Sequence, residues 1–186
     1  MRSPGFVVWF TGLPGAGKST VAAAVAERLE NGDQVVELLD GDVIRARLGG
    51  LGFSKEDRDA QVERLGWIAS RLARAGAIVL VSAIAPYAEA RRRARELVEE
   101  HGAFVEVYVS TSLDECIRRD PKGMYARALA EEITSFTGIS DPYERPRDPE
   151  IEIDTTGMHP AEAAEQVLLR LARLDLVPRE GALAWE

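Results

Sequence analysis

The chain has almost no cysteine. Cys116 is the only one, which excludes an internal disulfide and a cysteine-based metal cluster and reads as a small buried hydrophobe. Histidine is nearly as scarce, and His101 and His159 are not paired as zinc ligands. No apolar run approaches the roughly 20 residues that a membrane-spanning helix needs. The opening residues, Met1-Arg2-Ser3-Pro4-Gly5, lead directly into an apolar strand candidate, so no signal peptide is expected and a cytoplasmic protein follows. Positive charge is also short: 23 Lys and Arg stand against 31 Asp and Glu, a net charge of −8. That balance argues against nucleic-acid binding. The one dense basic spot, Arg91-Arg92-Arg93 with Arg95, reads as a solvated helix face. Internal repeats and low-complexity segments are lacking too, and 186 residues, 46% of them hydrophobic, suit a single domain spanning 1–186.

What the chain does have is a phosphate-binding loop. Gly12-Leu13-Pro14-Gly15-Ala16-Gly17-Lys18-Ser19-Thr20 follows the apolar run Phe6–Phe10 and opens an apolar-periodic stretch. This is the strand–loop–helix setting in which the pattern G-x-x-x-x-G-K-[ST] binds a nucleoside triphosphate. The glycines let the backbone turn its N–H groups inward, and the helix that follows presents its positive end. Lys18 reaches the β- and γ-phosphates, and the Ser19 hydroxyl is placed for Mg²⁺.

Hydrophobic patterning then alternates between periods. Helices are expected over 19–30 (Val21, Val25, Leu29, with Gly32 as a stop signal), 55–75, 87–101, 113–119 and 160–174. Strands are expected over 6–10, 35–39, 77–81, 104–109 and 151–154. Val62, Leu65, Ala69 and Leu72 share one face of the long helix, and Trp67 is placed in the core or at an interface. The Pro- and Gly-rich stretch 120–147 breaks the pattern and reads as a mobile lid with a helical patch. The tail from Pro178 reads as loosely attached. Alternation of this kind predicts an α/β fold: three layers, a mostly parallel central sheet and helices on both faces. Ligands then bind beyond the carboxyl ends of the strands.

Those ends carry further chemistry. Strand two delivers Asp40-Gly41-Asp42 and then Arg45. Carboxylates beside phosphates repel them unless a cation or an attacking hydroxyl intervenes; an Asp–Gly turn with a helix cap at Asp42 is the competing reading. Ser54 and Asp57 form a capping-box pattern at a helix start, which by pattern alone makes Phe53 a hydrophobic staple and Arg58 solvent-facing.

The segments F-T-G-L-P-G-A-G-K-S-T, L-D-G-D-V-I-R, L-G-F-S-K-E-D-R, I-V-L-V-S-A-I-A-P-Y, D-P-K-G-M-Y and F-T-G-I-S-D-P-Y-E occur in this order. Together they resemble the adenylyl-sulfate kinase family from about Phe6 to about Ile153. The resemblance implies a P-loop kinase fold and transfer of phosphate from ATP to the 3′-hydroxyl of adenylyl sulfate. It implies that Lys18 and Ser19 hold ATP and Mg²⁺ with Arg119 on the ATP side. Asp42 would orient or deprotonate the hydroxyl and stand near the metal. Arg45 and Arg58 would bind the acceptor's phosphate–sulfate part, Phe53 and Phe136 would sandwich its adenine, and Lys122, Gln61 and Ile84 would complete the acceptor pocket. A homodimer is implied as well.

Three departures from the family pattern stand out. Ala85 replaces the serine of I-S-P-Y, so no phosphoserine forms there. Gln61 replaces a common asparagine. Arg127, Leu129, Glu131 and Thr134 stand in a lid that usually carries more basic residues, which leaves open a related kinase acting on another hydroxyl. A nucleotide-dependent binding module without kinase activity is disfavoured by the presence of Lys18, Ser19 and Asp42.

Overall fold

The computed structural model describes residues 5–30 and 34–178. Strands β1 (Phe6–Gly12), β2 (Val36–Asp40), β3 (Ile78–Ser82), β4 (Ala103–Val109) and β5 (Ile151–Ile153) form one sheet in the order β2-β3-β1-β4-β5, and every pairing is parallel. The helices are α1 (Lys18–Leu29), α2 (Gly41–Leu48), α3 (Lys55–Arg74), α4 (Ala88–Glu99), α5 (Leu113–Arg119), α6 (Met124–Leu129) and α7 (Pro160–Arg173).

Successive strand side chains point to opposite faces, and β1 shows the consequence. Phe6, Val8 and Phe10 pack into one core with Val21 and Val25 of α1 and Val167 and Leu171 of α7. Val7 and Trp9 pack into the other with Val62 and Leu65 of α3 and Ala90 and Ala94 of α4. Because helices cover both faces, Ile78-Val79-Leu80-Val81 is apolar without alternation and fully buried. Cys116 is buried in the first core. The expected elements lie within about two residues of the observed ones, the usual uncertainty of helix and strand ends. Gly32, residues 1–4 and the tail 179–186 lie outside the described residues.

Three expectations are corrected. Residues 41–48 form α2, not a turn alone, and its N-cap is Asp40: that carboxylate accepts from the N–H groups of Asp42 and Val43, leaving the Asp42 side chain free to point elsewhere. Of the two places expected for Trp67, the core is removed and the interface is not: it is 55% exposed, with the Arg71 guanidinium over its ring. The basic run is not one solvated face. Arg92 and Arg93 are solvent-facing and paired with glutamates on their own helix, whereas Arg91 is buried. It bonds Glu106 of β4 at 2.9 Å and donates to the Ala85 and Glu144 carbonyls. Helical period sets 91 one turn from 94 and 95, so it falls on the sheet-facing side.

The segment 120–147 is less loose than its composition suggests. Besides α6, its distal part is strapped down: Glu144 N–H donates to Pro86 O, the Glu144 carboxylate accepts from Ala88 N–H, and Tyr143 stacks on Tyr108.

Candidate active site

The phosphate loop begins where β1 ends in the centre of the sheet. Gly12 (φ 152°) lies so close to β4 that a Cβ there would stand 2.5 Å from Val109 O. Gly17 (φ 102°) caps α1 in the left-handed region, against Thr155. Only glycine adopts both conformations without strain. The Lys18 ammonium curls back over the loop and donates to the carbonyls of Gly12 (3.0 Å) and Leu13 (2.7 Å). Burial lowers its pKa to about 8, with Cys116, Asp42 and Asp40 opposing that shift. Tyr125 of α6 donates its hydroxyl to Pro14 O, joining the lid region to the loop.

Ser19 donates to Asp40 Oδ2 at 2.7 Å, and Ser82 Oγ lies 2.9 Å from Ser19 Oγ and 3.1 Å from the same carboxylate oxygen. Burial alone would raise the Asp40 carboxyl, but the donors of Ser19, Val43, Ser82 and Asp42 hold it below the usual carboxylate range. Sequence reading placed Asp42 with Ser19 near a metal and gave Asp40 no role of its own. The structure instead sets Asp40 beside Ser19 and turns Asp42 across the cleft to Lys122, 2.7 Å away, with both side chains exposed. The signal was present: an Asp directly before a helix is a cap candidate, and a capped carboxylate at the end of β2 lies next to the loop at the end of β1.

The remaining expected acceptor residues surround this cleft. Arg45 is half-buried, donates to Gly52 O and lies 4.9 Å over the Phe53 ring. Phe53 is 66% exposed and staples nothing, while the capping box of Ser54 and Asp57 is present. Arg58 is buried, not solvent-facing. It donates to Thr137 Oγ1 (2.9 Å) and Ser135 O (2.6 Å), and pairs with Asp141 at 3.0 Å. Those partners flank Phe136, a buried ring set edge-on against Tyr125. Gln61 is buried and donates to Gly41 O, tying α3 to the Asp-Gly-Asp turn. Ile84 O accepts from Thr11 Oγ1 at 2.7 Å. Ala85 adopts φ 44°, a left-handed conformation that strains a residue with a side chain.

On the other side of the loop, Arg119 is committed to protein groups: Glu115 (2.7 Å), Thr155 Oγ1 (2.9 Å) and Thr155 O (2.8 Å). It still borders a cleft of about 300 Å³ lined by Gly17, Thr20, Arg118, Thr155 and Met158. Thr20 lies on the exposed side of α1.

A parallel sheet whose central strand runs into this loop, with acidic side chains at the next strand end and a lysine facing them, defines a kinase of the phosphate-loop class. The chain belongs to the adenylylsulphate kinase family, whose sequence model matches residues 4–154. It is 49% identical over 178 residues to the adenylyl-sulfate kinase of Picosynechococcus sp., covering 95% of this chain and 99% of that protein. It is 51% identical over 174 residues to that of Chloroflexus aurantiacus, covering 93% and 92%. The structure of the Mycobacterium tuberculosis APS kinase CysC in complex with AMPPNP and APS superposes with a TM-score of 0.87 at 44% identity, covering 91% of this chain and 98% of that one.

Proposed function

We propose that this enzyme transfers the γ-phosphate of ATP to the 3′-hydroxyl of adenosine 5′-phosphosulfate, giving ADP and 3′-phosphoadenylyl sulfate. The observation that carries this reading is the convergence of Lys18, Asp40, Asp42 and Lys122 around the end of the phosphate loop. Two cations and two carboxylates there match a reaction that brings an anionic donor and a hydroxyl acceptor together.

The backbone N–H groups of Gly15 to Ser19 and the N-terminus of α1 receive the β- and γ-phosphates. Lys18 exchanges its two carbonyl partners for phosphate oxygens and neutralises charge as the transfer proceeds. The cleft bordered by Arg119, Thr20 and Met158 takes the nucleoside end of ATP. Asp42 releases Lys122, accepts the hydrogen bond of the acceptor's 3′-hydroxyl and takes its proton as the oxygen attacks the γ-phosphorus in line. Lys122, freed, meets the acceptor's phosphates. Arg45 and Arg58 face its phosphate–sulfate group, which guanidinium forks bind well. Phe53 and Phe136 stack on its adenine, with Gln61 and Ile84 shaping the wall.

Ser19 Oγ, Asp40 and Ser82 Oγ are all oxygen donors within 3.1 Å of one another, a set that suits Mg²⁺. Bound there, the ion supplies charge neutralisation for the phosphates. A homodimer working in the cytoplasm completes the reading; among the described residues no helix is long and apolar enough to cross a membrane.

The lid favours one competing acceptor class. Leu129, 58% exposed, and Thr134 stand where the family pattern carries basic residues, with Glu131 adding a negative charge between them, which suits a less anionic alcohol. A coupled ADP-release assay offering adenylyl sulfate, nucleoside monophosphates and sugar alcohols decides between them. Adenylyl sulfate is expected to give the highest kcat/KM, and a higher value for another acceptor removes the main reading. Asp42→Asn is expected to lower kcat by about 10²–10⁴-fold, the usual contribution of a general base; an unchanged kcat removes that carboxylate from the mechanism.

A further inference from the structure

Between the phosphate loop and the ends of β4 and β5, beside the cleft that Arg119 and Thr155 border, one carbonyl collects several donors. Ala16 O accepts from Thr155 Oγ1 at 2.8 Å and from Thr111 Oγ1 at 3.1 Å, with Arg119 at 3.5 Å. The two threonine hydroxyls are 2.8 Å apart, and Thr155 N–H donates to Thr111 Oγ1 at 3.2 Å. Arg119 holds Thr155 from the other side through both its hydroxyl and its carbonyl. Ala16, Thr111 and Thr155 are all buried. Thr111 follows the end of β4 and Thr155 the end of β5, so the rigid sheet itself supplies the anchor.

We propose that Thr155 and Thr111 are positioning residues for the phosphate loop. In a trans peptide the C=O and the following N–H point in opposite directions. Hydroxyls that draw Ala16 O toward the sheet therefore turn Gly17 N–H outward, toward the phosphates. The Thr155 side chain also lies against Gly17, with Oγ1 3.2 Å and Cγ2 3.5 Å from where a Cβ would stand, so a larger residue at position 17 would press on the hydroxyl that holds Ala16 O. Arg119 acts through this network: it locks Thr155 rather than grasping phosphate itself. A donor fixed before the ligand arrives avoids the cost of ordering on binding.

The inference rests on the reading of this loop as an ATP site, and the test keeps the two apart. A fluorescent ADP analogue is displaced from the intact protein by ADP and, separately, by AMP, which lacks the β-phosphate that the loop holds. Displacement from the wild type by ADP tests the nucleotide reading alone. Thr155→Val, equal in volume but without the hydroxyl, is expected to weaken ADP about tenfold and AMP less than twofold. Thr111→Val is expected to act in the same direction, and the double variant to lose less than the product of the two, because both hydroxyls hold one carbonyl. Thr155→Ser, which keeps the hydroxyl, is expected to recover most of the loss. Equal weakening of ADP and AMP, or no weakening of either in folded Thr155→Val, overturns the proposal. Should Thr155→Val fail to fold, the ADP-to-AMP ratio in Thr111→Val decides in the same way.

Discussion

The two halves of the cleft are built by different means. The phosphate-holding part of the proposed ATP half is one contiguous segment, Gly12–Thr20, set by the end of the central strand and buttressed by buried hydroxyls, with Arg119 and Met158 bordering the cleft beside it. The half proposed for the acceptor is assembled from Asp42, Arg45, Phe53, Arg58, Ile84, Lys122 and Phe136, joined by contacts such as Arg58 to Thr137 and Lys122 to Asp42. Local backbone geometry makes the first half rigid before any ligand arrives. The second depends on side chains that now hold one another and must exchange those partners for substrate.

Within the ATP half the largest effect is expected at the loop lysine. Lys18→Met removes the one ammonium buried in the loop. A preorganised donor aimed at developing charge is worth about 10²–10³-fold in kcat, and steady-state kinetics at saturating ATP should show a loss of at least that size. A loss confined to the KM for ATP would mean that Lys18 binds the ground state and the transition state equally.

The same contrast explains what could be read from the chain. The strand–loop–helix unit and both cores were legible because their signals are local: glycine spacing, period-two and period-3.6 patterning. The residues proposed for the acceptor wall are assigned through motif resemblance alone. Its geometry was not legible, because Arg58 becomes buried through partners some eighty residues away, and no window of sequence contains them. The placement of Asp40 was not legible for a different reason: the sequence reading set the helix cap at Asp42, whereas Asp40 caps α2. Arg91 was misread because a charge run looks the same whether or not a glutamate lies buried behind it.

In the acceptor half, Phe53→Ala should separate binding from folding. The ring is 66% exposed, so truncation should change stability by less than about 0.5 kcal/mol. Stacking on adenine is worth about 1–3 kcal/mol, so the acceptor KM should rise roughly 5- to 150-fold while thermal denaturation is unchanged. An unaltered acceptor KM would remove Phe53 from the adenine site.

Asp141→Asn probes the join within that half. It keeps the shape but removes the charge that faces the buried Arg58, at a side chain 27% exposed. The partly solvated pair should count for about 1 kcal/mol, and the acceptor KM should rise about fivefold with the KM for ATP unmoved. Equal rises in both would mean that the pair supports the fold at large, and the division of the cleft into independent halves would fail.

The smallest effect returns to the ATP half and concerns a proton. Burial holds Lys18 near 8 in the ligand-free protein, against 10.5 in an open chain. Between those values the unfolded chain binds more protons than the folded one, so the stability of the empty enzyme should rise with pH across that window. ATP acts in the opposite sense. Its phosphates favour the charged ammonium, so above pH 8 binding must draw a proton from solvent and affinity falls as pH rises. Half a pH unit above the midpoint the loss is about fourfold, approaching tenfold per unit beyond. Calorimetric titration of ATP in two buffers of different ionisation enthalpy counts the proton directly. Uptake near one proton above pH 8, beside a rising melting temperature in the empty enzyme, is the expected pair of results. No uptake would mean that Lys18 keeps its proton in the empty loop, its charge already balanced there by the Gly12 and Leu13 carbonyls and the nearby Asp40 and Asp42.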